Sequence, residues 1–261
     1  LVSADVSIGG GDLSWDDWAL VLHGSAATVD GGHTFRGVSL LGGTTVRHSA
    51  ATETETYRLD WQIADHFIVD AVSGIDVTGR GYLGGRTAGN STEGAATGAG
   101  GGGYGGYGTT PFGTSSTAYG DYRDPDHPGS GGGLYWGAAG AGGGLVRIAA
   151  DWIVLDGTIR ADGQAGDNTA RPAGSGGGIK LSAGVVTGWG HLSADGGVGR
   201  EHYGAGGSGG GGRIAVLYEH SCGGGLLENT TAHGGIHTGA PGTGAPGTVY
   251  LEDGAGRGVL R

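Results

Sequence analysis

The chain has 261 residues, of which 67 are glycine, 6 are proline and none is methionine, and its formal net charge is −11. Glycine at that level with so little proline and no sustained Gly-X-Y period excludes a collagen triple helix. The 14 basic residues are arginines apart from Lys180 and form no stripe, so neither nucleic acid nor an anionic membrane is an expected partner.

Hydrophobic residues make up 36% of the chain, enough for a long, narrow core rather than a wide one. Apolar segments with strand character interrupt the glycine tracts, which argues against disorder. Cys222 stands alone, so no internal disulfide is expected and the redox compartment stays open. No run of about 20 apolar residues occurs, so membrane insertion through a helix is not expected. Because methionine is absent, Leu1 reads as the start of a processed form or of a piece of a longer polypeptide.

In chain order, residues 1–80 predict strands at 19–23, 35–41, 44–48, 57–63 and 66–72. Within the fourth, Tyr57, Leu59, Trp61 and Ile63 alternate with Arg58, Asp60 and Gln62, the period-two pattern of a strand with one buried face. A single helical turn is conceivable at 50–55 and nowhere longer. Residues 81–140 read as a Gly/Tyr-rich loop zone, and residues 141–261 carry internal repeats; nothing resembles a linker, so 1–261 is read as one domain.

The repeats decide the expected architecture. Gly142-Gly143-Gly144-Leu145-Val146-Arg147-Ile148, Gly176-Gly177-Gly178-Ile179-Lys180-Leu181 and Gly210-Gly211-Gly212-Arg213-Ile214-Ala215-Val216 are each a glycine tract followed by an alternating strand. The first two continue to Thr158-Ile159-Arg160-Ala161-Asp162-Gly163 and His191-Leu192-Ser193-Ala194-Asp195-Gly196, with echoes at 74–79 and 230–234. Stacked units of this length bury a face that one unit cannot bury alone. The expected fold is all-β, a right-handed parallel β-solenoid with glycine-rich loops. Ile148, Leu181 and Ile214 are expected on one buried ladder and Ile159 with Leu192 on another. Glycines are expected to supply positive φ at corners and to let successive turns stack without side chains in the way. The alternative is a β-sandwich with long glycine loops, for which Asp-Gly pairs such as Asp30-Gly31 and Asp253-Gly254 would make hairpins.

Several segments, above all Gly81-Tyr82-Leu83-Gly84-Gly85 together with 27–35, 74–85, 129–133, 140–163 and 209–218, resemble glycine-rich repeat regions of very large bacterial surface proteins. The resemblance covers most of the chain. It implies a β-helical stalk or adhesive module at the cell surface, and it brings no catalytic residues with it.

Residue by residue, the chemistry is sparse. Gly79-Arg80-Gly81-Tyr82-Leu83-Gly84 fits the dinucleotide fingerprint, but no helix is predicted after it to hold a pyrophosphate. Asp121, Asp124 and Asp126 beside His127 are oxygen ligands of the kind calcium takes, and equally ordinary turn residues. The histidines (23, 33, 48, 66, 127, 191, 202, 220, 233 and 237) are scattered; His220, Cys222, His233 and His237 would meet only if the chain folds back. Asp60, Asp65, Asp70 and Asp76 are dense enough for carboxylate catalysis but alternate like solvent-facing strand positions. Arg147 and Lys180 occupy the same repeat position, which reads as an outward ladder. Tyr104, Tyr107, Tyr119, Tyr122, Tyr135 and Trp136 are either sugar- or partner-stacking aromatics or local packing. Asn90-Ser91-Thr92 and Asn229-Thr230-Thr231 match glycosylation sequons.

The expected function is therefore a non-catalytic extracellular structural or adhesive protein, without catalytic, cofactor or metal residues. The rivals are a carbohydrate-active enzyme and a carbohydrate-binding module. Self-association or continuation into adjoining domains is expected, because the C-terminal Thr248-Val249-Tyr250-Leu251 has high β propensity and Trp15-Asp16-Asp17-Trp18 reads as either a cap or a docking face.

Overall fold

The computed structural model describes residues 1–166, 171–200, 206–238 and 242–261. The chain is all-β, and among the described residues its helical content is two short 3-10 turns, Leu13–Trp15 and Ala88–Asn90. Most strands belong to two sheets. One has seven strands: Val6–Ile8, Ala26–Val29, Thr45–Arg47, Gly74–Asp76, Thr158–Arg160, His191–Ser193 and Thr230–Thr231. The other has ten, ordered from Ala19–His23 through Gly37–Leu41 and His66–Val69 to the long strands Leu145–Leu155, Gly178–Thr187 and Arg213–Cys222, then Thr248–Asp253. Gly31–Phe35 and Leu59–Ile63 continue its other half alongside Leu145–Leu155. Every pairing in both sheets is parallel except the last, where Gly258–Leu260 turns back antiparallel onto Thr248–Asp253.

In both sheets spatial order follows chain order, so equivalent residues of successive repeats stack. Ile159 and Leu192 lie in one ladder, as the repeats predict; Ile75 and Val46 extend it, and all four are fully buried. The other predicted ladder needs a correction. Ile148 pairs with Leu181, but Leu181 pairs with Val216; Ile214 pairs with Ile179. All stay on the inner face, because a slip of two residues preserves strand alternation. The slip arises because the first repeat advances 33 residues from Leu145 to Gly178 whereas the next advances 35 to Arg213. The strand expected at 35–41 is likewise two, Gly31–Phe35 and Gly37–Leu41, separated by a bend at Arg36.

Between the sheets lies one apolar core that runs from Ile8 to Leu251. At its N-terminal half the rings of Phe35, Trp61 and Phe67 meet edge-on, with centroids 5.5 and 6.3 Å apart. Edge-to-face contact is the favourable arrangement of aromatic quadrupoles. Each such side chain, fully buried, stabilises by about 1.5–3 kcal/mol.

Beyond this core the glycine tracts form a second, different interior. Gly174 and Gly177 donate their N–H groups to Gln164 and Ala161, while Ser175 donates to Ser130 and Gly176 to Gly210. One repeat later Gly209 and Gly212 donate to Gly197 and Ala194, Gly210 to Gly102 and Gly211 to Ala245. Partners thus recur every third residue and point in three directions. Three residues per turn with no internal hydrogen bond is the geometry of a polyproline II helix. Here segments with this threefold bonding lie side by side, joined mainly backbone to backbone, with the Ser175 and Ser116 hydroxyls accepting the N–H groups of Ser130 and Gly103. None of the glycines at 100–106, 129–133, 140–144, 174–178 or 206–212 has a left-handed φ, so these tracts are not the positive-φ corners expected of them. They are glycine because neighbouring backbones leave no room: a Cβ on Gly176 would lie 1.9 Å from the Ala194 carbonyl oxygen, and one on Gly209 1.9 Å from that of Gly174. The segment read as a loop zone supplies one layer of this lattice, with 101–104 and 129–133 buried outside any strand.

Candidate functional site

A bend at Ala64–Asp65 separates Leu59–Ile63 from His66–Val69, and at the same level the pairing of the long strands is interrupted at Asp151 and Gly184; outside that bend runs an open groove. One stretch of it holds about 700 Å³ between Thr34, Gln62, Ala149, Trp152, Ser182 and Glu219. A second stretch of about 570 Å³ shares Ser182 and Glu219 and carries it on to Leu217, Glu252 and Asp253. The floor is one outward ladder, Gln62–Ala149–Ser182–Leu217–Glu252, built by parallel register. Its rims hold the carboxylates of Asp17, Asp151 and Glu219, with His220 beside them. Trp152 stands at the rim 58% exposed, on a strand whose inward neighbour Ile153 is fully buried. Sequence reading missed Trp152, Gln62 and Ser182; the one signal available was the break in alternation at Ala149-Ala150-Asp151-Trp152.

Next to the groove the outward ladder Asp60–Arg147–Lys180 forms a charge network, and the expected pairing of Arg147 with Lys180 is observed. Asp124 bridges both, 2.9 Å from the Arg147 guanidinium and 2.8 Å from the Lys180 ammonium. The hydrogen bond from Lys180 and the nearby guanidinium hold the Asp124 carboxyl below the usual carboxylate range. Asp121 instead closes a turn by accepting the Arg123 N–H, and Asp126 lies 3.5 Å from His127. The three aspartates are thus divided among separate tasks.

The other candidates are also dispersed. Asp65 pairs with His66, Asp70 accepts the N–H groups of Gly42 and Val72, and Asp76 accepts that of Thr78. Gly79 makes a turn and residues 80–87 stay non-helical, so the glycine fingerprint has no helix behind it. His220 and Cys222 lie on a strand of the large sheet, whereas His237 pairs with Gly199 in a separate two-stranded ribbon and His233 is hydrogen-bonded to Asp195. His202 falls outside the described residues. Among the described residues no three His, Cys, Asp or Glu side chains converge as a metal site. Asn90 is turned back onto the carbonyls of Thr52 and Glu53, while Asn229 is exposed.

The aromatic set divides. Tyr104 is fully buried, 4.7 Å from the Tyr119 ring and under the Arg213 guanidinium at 5.4 Å. Tyr119 donates to the Pro128 carbonyl and accepts from Ser130, and burial pushes both phenols well above the ordinary tyrosine value. Tyr122 packs edge-on against Tyr250, with Arg123 over both rings. These are scaffold groups. Tyr107, Phe112 and Trp136, by contrast, are 55, 61 and 80% exposed.

His48 is the most displaced base. It is fully buried; its Nδ1–H donates to the Ser49 carbonyl and its Nε2 accepts the Leu145 N–H, joining the small sheet to the first long strand. Burial lowers its pKa to about 4. The group lies inside the scaffold and not in the groove.

Fold and surface together define an all-β protein of parallel stacked repeats with a glycine-lattice interior and an open polar groove. Compared with known proteins, the chain matches no family model, no curated sequence and no solved structure.

Proposed function

We propose that the chain is a right-handed parallel β-solenoid that serves as a non-catalytic structural or adhesive module at the cell surface or in the extracellular space. The observation that carries this reading is the parallel stacking of strands in chain order in both sheets, as far as Thr230–Thr231 and Thr248–Asp253, beside a backbone lattice that joins successive glycine tracts. In that lattice the N–H groups of successive residues bond outward to different neighbouring segments. The Asp60–Arg147–Lys180–Asp124 network is internally paired, and His48, Tyr104 and Tyr119, which have the largest pKa displacements, are interior. Self-association, or continuation into adjoining domains, belongs to the same proposal. Gly258–Leu260 covers the edge of Thr248–Asp253 and leaves its own far edge exposed. At the other end Asp16 and Asp17 close over Thr34 through backbone and carboxylate hydrogen bonds.

Electron microscopy and small-angle scattering of the purified chain test the shape, with an elongated rod expected and a spherical particle overturning it. Reducing-end and unsaturated-product assays on common polysaccharides, with calcium present, are expected to show no turnover; turnover lost in Asp151→Asn or Glu219→Gln would make the protein an enzyme.

A further inference from the structure

The groove outside the bend has a composition that selects among ligands. Its lining contains five carboxylates, from Asp17, Asp151, Glu219, Glu252 and Asp253, and no lysine or arginine. The adjacent cations Arg147 and Lys180 are paired with Asp124 and Asp60, and Arg257 is paired with the lining carboxylate Asp253, 2.6 Å away. The groove therefore presents more carboxylates than cations to a ligand, which disfavours an anionic polymer. The floor, however, is largely uncharged: Gln62, Ala149, Ser182 and Leu217 alternate hydrogen-bonding with apolar surface. An amide and a hydroxyl on such a floor, with carboxylates above them, offer acceptors and donors to a ligand rich in hydroxyl groups. Beside them the exposed indole of Trp152 presents a flat apolar face. A pyranose ring has both halves of this pattern, a C–H face to lie on an indole and equatorial hydroxyls for carboxylates and amides.

The geometry also favours a chain over a single ring. The groove crosses successive strands at right angles to their direction, so its contact sites recur at the strand spacing of about 4.8 Å. It is open rather than enclosed, and its two stretches run into each other at Ser182 and Glu219. A linear polymer is able to lie along it and leave at both ends.

We infer that this groove holds a linear, uncharged oligosaccharide, with Trp152 as the stacking platform and Gln62, Ser182 and Glu219 as hydrogen-bonding partners. The inference rests on the adhesive, non-catalytic reading above in one respect: the sugar is held and not cleaved.

Isothermal titration of the full chain with cellohexaose, xylohexaose and mannohexaose tests it, with hexagalacturonate and hexa-arginine as charged comparators. At least one neutral hexasaccharide is expected to bind, and Trp152→Ala to weaken that binding about tenfold, the size of one lost aromatic contact. Trp189→Ala, which removes an indole 74% exposed outside the groove, is expected to leave it unchanged. Gln62→Ala and Ser182→Ala, both outward on their strands, provide variants that keep the fold should Trp152→Ala lose it. Binding by hexa-arginine alone, by hexagalacturonate alone or by no ligand overturns the inference. Binding that depends on Trp152 but is followed by cleavage of the bound sugar confirms the groove and overturns the non-catalytic reading instead.

Discussion

The N-terminal strands and the glycine tracts solve the same problem in opposite ways. Around Trp61 the chain buries its backbone by pairing strands in one plane and fills the space between sheets with large side chains. Around Gly176 and Gly210 it removes the side chains, so that extended segments approach closely and bond in three directions. In the first region stability comes from apolar area, and a missing methylene leaves a cavity. In the second it comes from satisfied peptide groups, and an added methyl has nowhere to go. A glycine costs more conformational entropy to order than any other residue. The lattice offsets that cost by leaving few buried N–H groups without a partner, which would otherwise be expensive.

The largest effect expected from this contrast is at a lattice glycine. Gly209→Ala places a Cβ 1.9 Å from the Gly174 carbonyl oxygen, a backbone atom that cannot rotate away. We expect a loss above about 4 kcal/mol or failure to fold, read by chemical denaturation. Gly11→Ala, with no atom within 4 Å of the new Cβ, is the matched control and is expected to stay within about 0.5 kcal/mol. Equal effects at the two glycines would break the distinction.

In the side-chain region the sign reverses, and removing atoms is what destabilises. Leu181→Ala deletes a fully buried side chain between Ile148 and Val216, and a cost of about 2–5 kcal/mol is expected from lost transfer energy plus a cavity. A thermal or denaturant midpoint unchanged from the parent would remove Leu181 from the core.

At the joint between the regions, His48 makes the protein acid-sensitive. Folded, it stays neutral until about pH 4, held there by burial; unfolded, it takes up a proton near 6.5. The unfolded state therefore binds more protons between those values, so stability is full above 6.5, falls as pH drops towards 4 and levels off below. The total is about 3 kcal/mol. His48→Gln, which keeps a donor and an acceptor, is expected to flatten that slope in urea titrations run at pH 4, 5 and 7. A slope retained in the variant would assign it elsewhere.

The smallest effect concerns the outward ladder. Asp124 is about half exposed, so the bridge to Arg147 and Lys180 is largely screened. Asp124→Asn is expected to cost no more than about 1 kcal/mol, and less still in high salt.

What the sequence by itself determined is what depends on neighbours along the chain. Alternation in Leu59-Asp60-Trp61-Gln62-Ile63 marks a strand whatever it pairs with, and recurrence of Ala-Asp-Gly after Ile159 and Leu192 marks equivalent places in successive repeats. The tertiary structure adds why: each of those aspartates accepts the N–H of its counterpart one repeat on, Asp162 from Asp195 and Asp195 from His233. Three things only the tertiary structure decided. The register of Leu181 against Val216 rather than Ile214 depends on how many residues each repeat spends in the lattice, and uniform glycine tracts carry no internal mark by which to count. The lattice itself was hidden for a related reason. Its threefold order is written in hydrogen-bond directions, and a run of glycines looks the same whether it turns, floats or packs. The groove, finally, exists because separate strands bend at one level, which brings Gln62, Trp152 and Glu219 together from positions 157 residues apart in the chain at most. Local patterns fix which face of a strand is wet; only the stacking of many strands decides what that wet face is able to hold.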